Sequence, residues 1–347
     1  MKINTFRFAT VTALWLIPAV GLAQGTGCDQ PSMESGTYET NIGGVARSYR
    51  LLVPENYDPA TPTPLILAFH GWGGGTDAFL GAANVADQSS AQGFIVAAPV
   101  GLGEGGGDAS YSSWSFPGSS TGIDGDGAKI CDDANTGDYS YASCKVPGAE
   151  IAQNTCSWTH CQGDDAAFVT AFMDELSGTL CIDQNRIYGV GGSNGGMFLW
   201  TLAQNPDVAG RFAAIAPLIG LPHRGYTDGP AVDGGVPVLS ITGMSDPTVP
   251  PGEWEDAGHT TTTDGDFYYY TGATAITRAF AEAASCDISQ PAQAVAFDDG
   301  SDCRSYCSSG AGEVPAVLDC RRDMAHVYEL EDTWPMILNF FDAHQKQ

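Results

Sequence analysis

The stretch Gly189-Val190-Gly191-Gly192-Ser193-Asn194-Gly195-Gly196-Met197 decides the fold. It overlaps an apolar run, Arg186-Ile187-Tyr188-Gly189-Val190, that reads as a short buried strand, and it leads into Met197-Phe198-Leu199-Trp200-Thr201-Leu202-Ala203, which reads as a helix. Between them Gly191, Ser193 and Gly195 fit G-x-S-x-G, the pattern of a serine presented on a sharp strand-to-helix turn. Such a turn needs small neighbours, because Cβ atoms on either side of the bend would collide. The following helix points its N-terminal N–H groups toward the serine, where negative charge would develop. A glycine-rich turn that merely contains a serine has the same local pattern; the flanking strand and helix favour the reactive reading.

Outward from this turn, the chain alternates strands and helices. Pro64-Leu65-Ile66-Leu67-Ala68-Phe69 and Gly93-Phe94-Ile95-Val96-Ala97-Ala98-Pro99 are continuous apolar runs that fit strands covered on both faces. Phe212 to Leu218 and Val236 to Gly243 read as further strands, with late strands at Ala294–Phe297 and Pro315–Leu318. Asp164 to Leu180 has helical spacing, with Phe168, Ala171, Phe172 and Leu176 on one face. Asp164 and Asp165 at its start read as caps that favour the helix dipole. Thr274 to Ala284 and Trp334 to Ala343 read as helices, the second closing the chain. Residues 36–53 read as an antiparallel hairpin around Gly43-Gly44, ended by Pro54. The alternation predicts the α/β class: a mainly parallel sheet with helices on both faces. No repeat or second domain is visible, and residues 24–347 read as one unit.

Residues 102–162 break the pattern. They are rich in Gly, Ser and Asp and hold four cysteines. Loops of this length inside a compact unit are functional or disordered; the cysteines and the aromatics Tyr111, Trp114, Phe116 and Trp158 favour an ordered cap or rim. Asp124-Gly125-Asp126-Gly127 reads as a polar turn, since it lacks the remaining ligand spacing and closing glutamate of a calcium loop.

Composition bounds the setting. A positive start with Lys2 and Arg7, an apolar run from Phe8 to Val20 and Gly21-Leu22-Ala23 predict a signal peptide cleaved after Ala23, leaving residues 1–23 outside the mature chain. The apolar run is short for a membrane span. The chain carries 14 Lys+Arg against 41 Asp+Glu, a formal net charge of −27, which repels nucleic acid and anionic membranes. That surface suits a soluble exported protein. Ten cysteines in an exported chain argue for disulfides. Cys156-x4-Cys161 and Cys303-x3-Cys307 do not have the usual zinc spacing. A local Cys156–Cys161 link and two links among Cys286, Cys303, Cys307 and Cys320 are the expected pairings. No cofactor or metal is expected; the oligomeric state stays open.

A serine hydroxyl needs a base to take its proton, normally a histidine held by a carboxylate. Downstream of Ser193 lie His223, His259, His326 and His344. Only His326 falls after a late strand and before the final helix, so it is the candidate base. For the acid, Gly243-Met244-Ser245-Asp246-Pro247-Thr248-Val249-Pro250 follows a buried strand directly and would put Asp246 at the carboxyl edge of the sheet. Asp256 and Asp264 are weaker alternatives. An oxyanion needs two N–H donors: the backbone of Asn194, next after the serine, and one from the loop His70-Gly71-Trp72-Gly73-Gly74-Gly75, where Trp72 is the expected donor and His70 is structural. Trp114, Trp158, Trp254 and Tyr269 are candidates for an aromatic-lined substrate cleft, although aromatic side chains more often serve packing.

Together, His70-Gly71-Trp72-Gly73-Gly74, the Gly191–Gly196 elbow, Gly243 to Pro250 and His326 resemble a secreted esterase family that includes feruloyl esterases and polyhydroxybutyrate depolymerases, across residues 36–344. The resemblance implies an α/β-hydrolase fold with a disulfide-rich loop insertion and metal-independent ester hydrolysis by a Ser193, Asp246 and His326 triad. It implies an ester, small or polymeric, as the partner. A plant cell-wall feruloyl ester is the first expectation and a polyester the second; a non-catalytic hydrolase-like binding protein is the rival of another class. The chain departs from the family around the histidine: Met324-Ala325-His326-Val327-Tyr328 lacks the preceding Gly, and Trp334-Pro335 comes later than the usual Trp-Pro pair.

Overall fold

The computed structural model describes residues 26–102, 112–132, 150–151, 156–157, 161–162, 165–256, 258–265, 267–298, 300–308, 310 and 313–346. The expected signal peptide, Tyr111, Trp158 and Asp164 lie outside these residues. In chain order the elements are β1 (Gly36–Ile42), β2 (Val45–Leu52), β3 (Thr63–Phe69), α1 (Asp77–Leu80), α2 (Ala83–Ala91), β4 (Ile95–Pro99), β5 (Glu150–Ile151), β6 (Cys161–Gln162), α3 (Asp165–Thr179), β7 (Ile182–Gly192), α4 (Asn194–Gln204), β8 (Ala214–Leu218), β9 (Val238–Gly243), β10 (His259–Thr261), β11 (Tyr269–Thr271), α5 (Ala273–Ala283), β12 (Gln293–Val295), β13 (Ser301–Ser305), β14 (Val317–Arg322) and α6 (Leu330–Ala343).

Ten strands form one sheet in the order β1-β2-β4-β3-β7-β8-β9-β14-β13-β12. Its centre, from β4 to β14, is parallel, and antiparallel pairs flank it on both sides. This is the doubly covered α/β sheet that the alternating pattern predicts, in the α/β-hydrolase arrangement. The period of two sorts the core: Leu65, Leu67 and Phe69 of β3 join Phe168 and Phe172 of α3, Phe198 of α4 and Phe280 of α5 on one face. Ile66 and Ala68 join Phe79 of α1, Val85 of α2 and Trp334, Phe340 and Phe341 of α6 on the other. Every residue of β3 is buried, which explains its unbroken apolar run. Each such side chain contributes roughly 1.5–3 kcal/mol relative to exposure. At β1–β2, Gly43 and Gly44 adopt φ +63° and +81°, the left-handed pair of a two-residue turn.

Several expectations are corrected. Asp165 is not a solvent-facing cap: it is buried, ion-paired with Arg47 and accepts the Ser115 N–H at 2.7 Å. Cys156 pairs with Cys131, not with Cys161. The two expected late links are Cys286–Cys307 and Cys303–Cys320, and Cys28–Cys181 ties the start of the described chain to the foot of β7. The strand Ser301–Ser305, unread in the sequence because charged and polar residues fill it, pairs with β14 through the Cys303↔Cys320 register. Helix α6 begins four residues before Trp334, behind Glu329 in the left-handed region. Asp124 closes a polar turn by accepting the Asp126 and Ala128 N–H groups and faces Arg224.

His223 is buried against Tyr270, with ring centroids 4.9 Å apart. Burial pushes its imidazole from 6.5 down to about 3, against a smaller opposing effect of the Tyr269 carbonyl. The unfolded chain therefore takes up a proton that the folded chain refuses. The stability this residue secures is complete above pH 6.5 and is lost as pH falls toward about 3. Thermal melts at stepped pH are expected to fall more steeply between pH 7 and pH 4 for the parent than for His223→Gln; parallel slopes would contradict this assignment.

Candidate active site

Ser193 occupies the bend between β7 and α4 with φ 52° and ψ −117°, a strained conformation for a residue with a side chain. The surrounding backbone holds it there. Its N–H donates to the Leu218 carbonyl at 2.9 Å and its carbonyl accepts the Met197 N–H at 2.9 Å. Glycine is required on both sides: a Cβ on Gly191 would meet the Gly195 carbonyl carbon at 2.5 Å, and one on Gly195 would meet the His70 carbonyl at 2.6 Å. The side chain of Ser193 stands at the N-terminus of α4, whose first N–H groups have no partner within the helix.

The structure brings the three sequence candidates together. His326 Nε2 lies 2.9 Å from Ser193 Oγ and His326 Nδ1 lies 2.7 Å from Asp246 Oδ2. Asp246 is buried, and its other oxygen accepts the N–H groups of Thr248 at 2.8 Å and Val249 at 2.9 Å. The loops carrying acid and histidine follow the parallel neighbours β9 and β14, so sheet register delivers both to the same edge. They are stitched by Met244 N–H to the Arg322 carbonyl and Ser245 N–H to the Met324 carbonyl. Arg322 also faces Asp298 at 2.8 Å, Asp332 at 3.3 Å and Glu329 at 3.6 Å, which anchors both ends of the histidine loop. The other candidates are engaged elsewhere. His223 is in the core, His259 is exposed on β10 against Tyr269, and His344 bonds the Phe340 carbonyl. Asp256 closes its own turn through the Gly258 N–H, and Asp264 is exposed.

The loop after β3 faces the elbow. His70 is buried; its Nε2 accepts the Gly101 N–H at 2.9 Å, so Nδ1 carries the proton and donates to the Gly71 carbonyl at 2.6 Å. The Gly71 N–H donates to the Tyr328 hydroxyl at 2.8 Å, the Gly73 N–H to the Ser112 carbonyl at 2.8 Å and the Gly74 N–H to the Gly71 carbonyl at 3.0 Å. Asn194 is buried, and its side-chain amide is clamped by the Trp114 backbone, N–H at 2.7 Å and carbonyl at 3.2 Å.

Three of the four aromatic cleft candidates lie among the described residues. Trp114 is fully buried, stacked on Phe198 at 5.3 Å and donating its indole N–H to the His70 carbonyl; it supports the elbow from beneath. Trp254 lies under the guanidinium groups of Arg321 and Arg304, at 3.6 and 4.0 Å from its ring centre. Tyr269 lies under Arg224 at 4.6 Å. In each case an interior or cationic neighbour occupies the ring. Trp72, read from the sequence only as an oxyanion donor, and Met244 and Val327, given no role there, are 38%, 53% and 47% exposed and stand on the three loops that carry the site. The sequence reading also missed Tyr328. None of these has periodicity to signal it, but each lies within two residues of a motif position.

With this geometry in view, the comparisons with known proteins are specific. Residues 43–144 match the family model Esterase, described as "Putative esterase". The chain is 26% identical over 250 residues to "Probable feruloyl esterase C" of Aspergillus niger, covering 70% of this chain and 69% of that protein. It is 26% identical over 247 residues to "Feruloyl esterase C" of Emericella nidulans, with coverage of 70% and 69%. These are likenesses to proteins named as feruloyl esterases. "Feruloyl esterase D" of Neurospora crassa is 26% identical over 230 residues, covering 66% of this chain and 64% of that protein.

The Gly191→Ala substitution is expected to destabilise the fold by about 2–4 kcal/mol, since the added methyl meets backbone and no side chain can turn aside. Chemical denaturation checks this; a loss below about 0.5 kcal/mol, the ordinary range of surface changes, would contradict the packing described.

Proposed function

We propose that this chain is an exported serine carboxylesterase acting on aromatic esters of the feruloyl type. The observation that carries the reading is the Asp246–His326–Ser193 hydrogen-bonded series, at 2.7 and 2.9 Å, set at the N-terminus of a helix. His326 Nε2 takes the Ser193 proton as Oγ attacks the ester carbonyl, and Asp246 orients the imidazole and stabilises its cation. The oxyanion is received by the N–H groups of Asn194 and Trp72. His326 then protonates the leaving alcohol, and water activated by the same imidazole frees the acid.

Three lines support the substrate class and the compartment. The match spans 69% of each of the two feruloyl esterases C. Trp72, Met244 and Val327 are exposed apolar residues on the loops that carry the site of a chain of net charge −27, which suits an uncharged aromatic acyl group better than a polar one. Export through the 1–23 leader agrees with the disulfides of the folded part. No helix among the described residues is long and apolar enough to cross a membrane.

Ser193→Ala is expected to lower turnover of methyl ferulate and of a short p-nitrophenyl ester by at least about 10⁴-fold with an unchanged circular-dichroism spectrum. Retained turnover in that variant would overturn the mechanism. In a panel of feruloyl, acetyl and hydroxybutyrate esters, kcat/KM is expected to be highest for feruloyl; preferred release of hydroxybutyrate would move the substrate to polyesters. Met244→Asp is expected to raise KM for methyl ferulate about tenfold, the equivalent of some 55 Å² of lost apolar contact, while a p-nitrophenyl acetate assay changes less. Equal effects on both substrates would remove Met244 from the acyl site.

A further inference from the structure

Away from the triad, α5, the segment that follows it, β13 and β14 enclose a cavity of about 320 Å³. Its walls include no residue of the triad or of the loop after β3. Asp319, on the sheet wall, stands three residues before the end of β14, roughly 10 Å along the strand from the start of the histidine loop. The volume is that of a small-ligand site.

The charges around this cavity are unlike those elsewhere in the chain. Each of the other arginines among the described residues faces a carboxylate at 3.6 Å or less. Arg278 of α5, exposed on the cavity wall, faces none; its guanidinium reaches the Ile288 carbonyl at 3.5 Å. This cation stands without an acid in a chain of 41 Asp+Glu and 14 Lys+Arg. Tyr306 lines the same cavity. Burial raises its phenol above the ordinary 10.0, against the smaller opposing effect of the Arg278 cation, so the hydroxyl is a neutral donor beside that charge. The carboxylate on the sheet wall does not compete for Arg278, because Asp319 is buried and paired with Arg321 at 3.1 Å. Glu255, the other lining carboxylate, is exposed, where solvent and salt screen it.

The interior suits a ring with apolar faces. Its hydroxyls have spent their hydrogens on backbone carbonyls: Thr277 donates to Ala273 at 2.7 Å, Ser305 to Val317 at 2.6 Å and Thr274 to Trp254 at 3.1 Å. A sugar ring entering here would give up its bonds to water for few replacements. Ile288, Pro291, Ala292 and Val317 offer apolar contact instead. The Trp254 indole is a wall rather than an open stacking face, since the guanidinium groups of Arg321 and Arg304 lie 3.6 and 4.0 Å from its centre.

We infer that this cavity is a second binding site, separate from the triad, for a single-ring aromatic carboxylate, with its carboxylate on Arg278 and its ring against Ile288, Pro291 and Ala292. An acid of this class is what hydrolysis of a feruloyl ester releases, and that match alone rests on the esterase reading above. The two fail differently. A parent protein that binds the acid through Arg278 but turns over no ester sinks the esterase reading and leaves the site. An active parent without Arg278-dependent binding sinks only the site.

The test is calorimetric titration of the full chain with ferulate, with ferulamide, which is uncharged, and with glucuronate. Ferulate should bind the parent saturably, and Arg278→Gln should weaken it at least about tenfold, as loss of a charged hydrogen-bonding partner does. Ferulamide should bind the parent about as weakly as ferulate binds that variant. Ala292→Trp keeps the cation and fills the cavity, and it should weaken ferulate by a similar factor. Met244→Asp, on the acid loop, should leave this binding unchanged. Equal ferulate affinity in the parent, Arg278→Gln and Ala292→Trp would put the acid elsewhere and overturn the inference. Loss of the binding in Met244→Asp would assign it to the triad cleft and overturn it too. Glucuronate binding tighter than ferulate would overturn the aromatic class.

Discussion

Backbone pressed against backbone at one corner of the sheet is the constraint on which the rest of this structure depends. Ser193 holds a left-handed φ of 52° because Gly191, Gly195 and Gly220 let β7, α4, the loop after β3 and the loop after β8 approach without intervening side chains. A strained residue persists only where its surroundings over-determine it. Here the Leu218 carbonyl takes the Ser193 N–H, and the Trp114 backbone clamps the Asn194 side chain that follows. The buried indole of Trp114 bonds the His70 carbonyl, linking that clamp to the neighbouring loop.

The parallel sheet supplies the second requirement, convergence. β3, β7, β9 and β14 all end at the same edge, so four loops distant in sequence deliver Trp72, Ser193, Asp246 and His326 to one place. Cys303–Cys320 and Cys286–Cys307 brace the antiparallel flank beside β14, and Cys28–Cys181 secures the opposite end of β7. Arg322 completes the brace by facing Asp298, Glu329 and Asp332 at the base of the histidine loop. In a chain with 41 acidic and 14 basic residues, spending an arginine among three carboxylates also lowers their mutual repulsion.

Much of the architecture is legible from local pattern. Continuous apolar runs mark β3 and β4, glycine pairs mark the first hairpin, and G-x-S-x-G between a strand and a helix marks the elbow. The order of serine, acid and histidine, each after a strand, singles out Ser193, Asp246 and His326 from several alternatives, and these are the side chains that meet. What local pattern leaves open has a common source. Trp114, Trp254 and Tyr269 are aromatic residues in polar segments, where sequence cannot separate a ring facing solvent from one covered by Phe198 or by an arginine. Asp165 has the position of a helix cap but folds under Arg47, a partner 118 residues away. The Cys131–Cys156 link was likewise invisible, since proximity in sequence favours Cys161 while chain path favours Cys131.

The sequence by itself determined the class of fold, the bend that presents Ser193 and the identity of its two partners, because hydrophobic period, glycine placement and motif order are properties of neighbouring residues. Only the tertiary structure decided which aromatic rings are buried or covered, that Met244 and Val327 are exposed on the loops that carry the site, and that Tyr328 reaches across to Gly71. Those outcomes depend on distances between loops that no local pattern encodes. They are fixed by strand register and by the space that glycines leave open, and both come into being only when the sheet has formed.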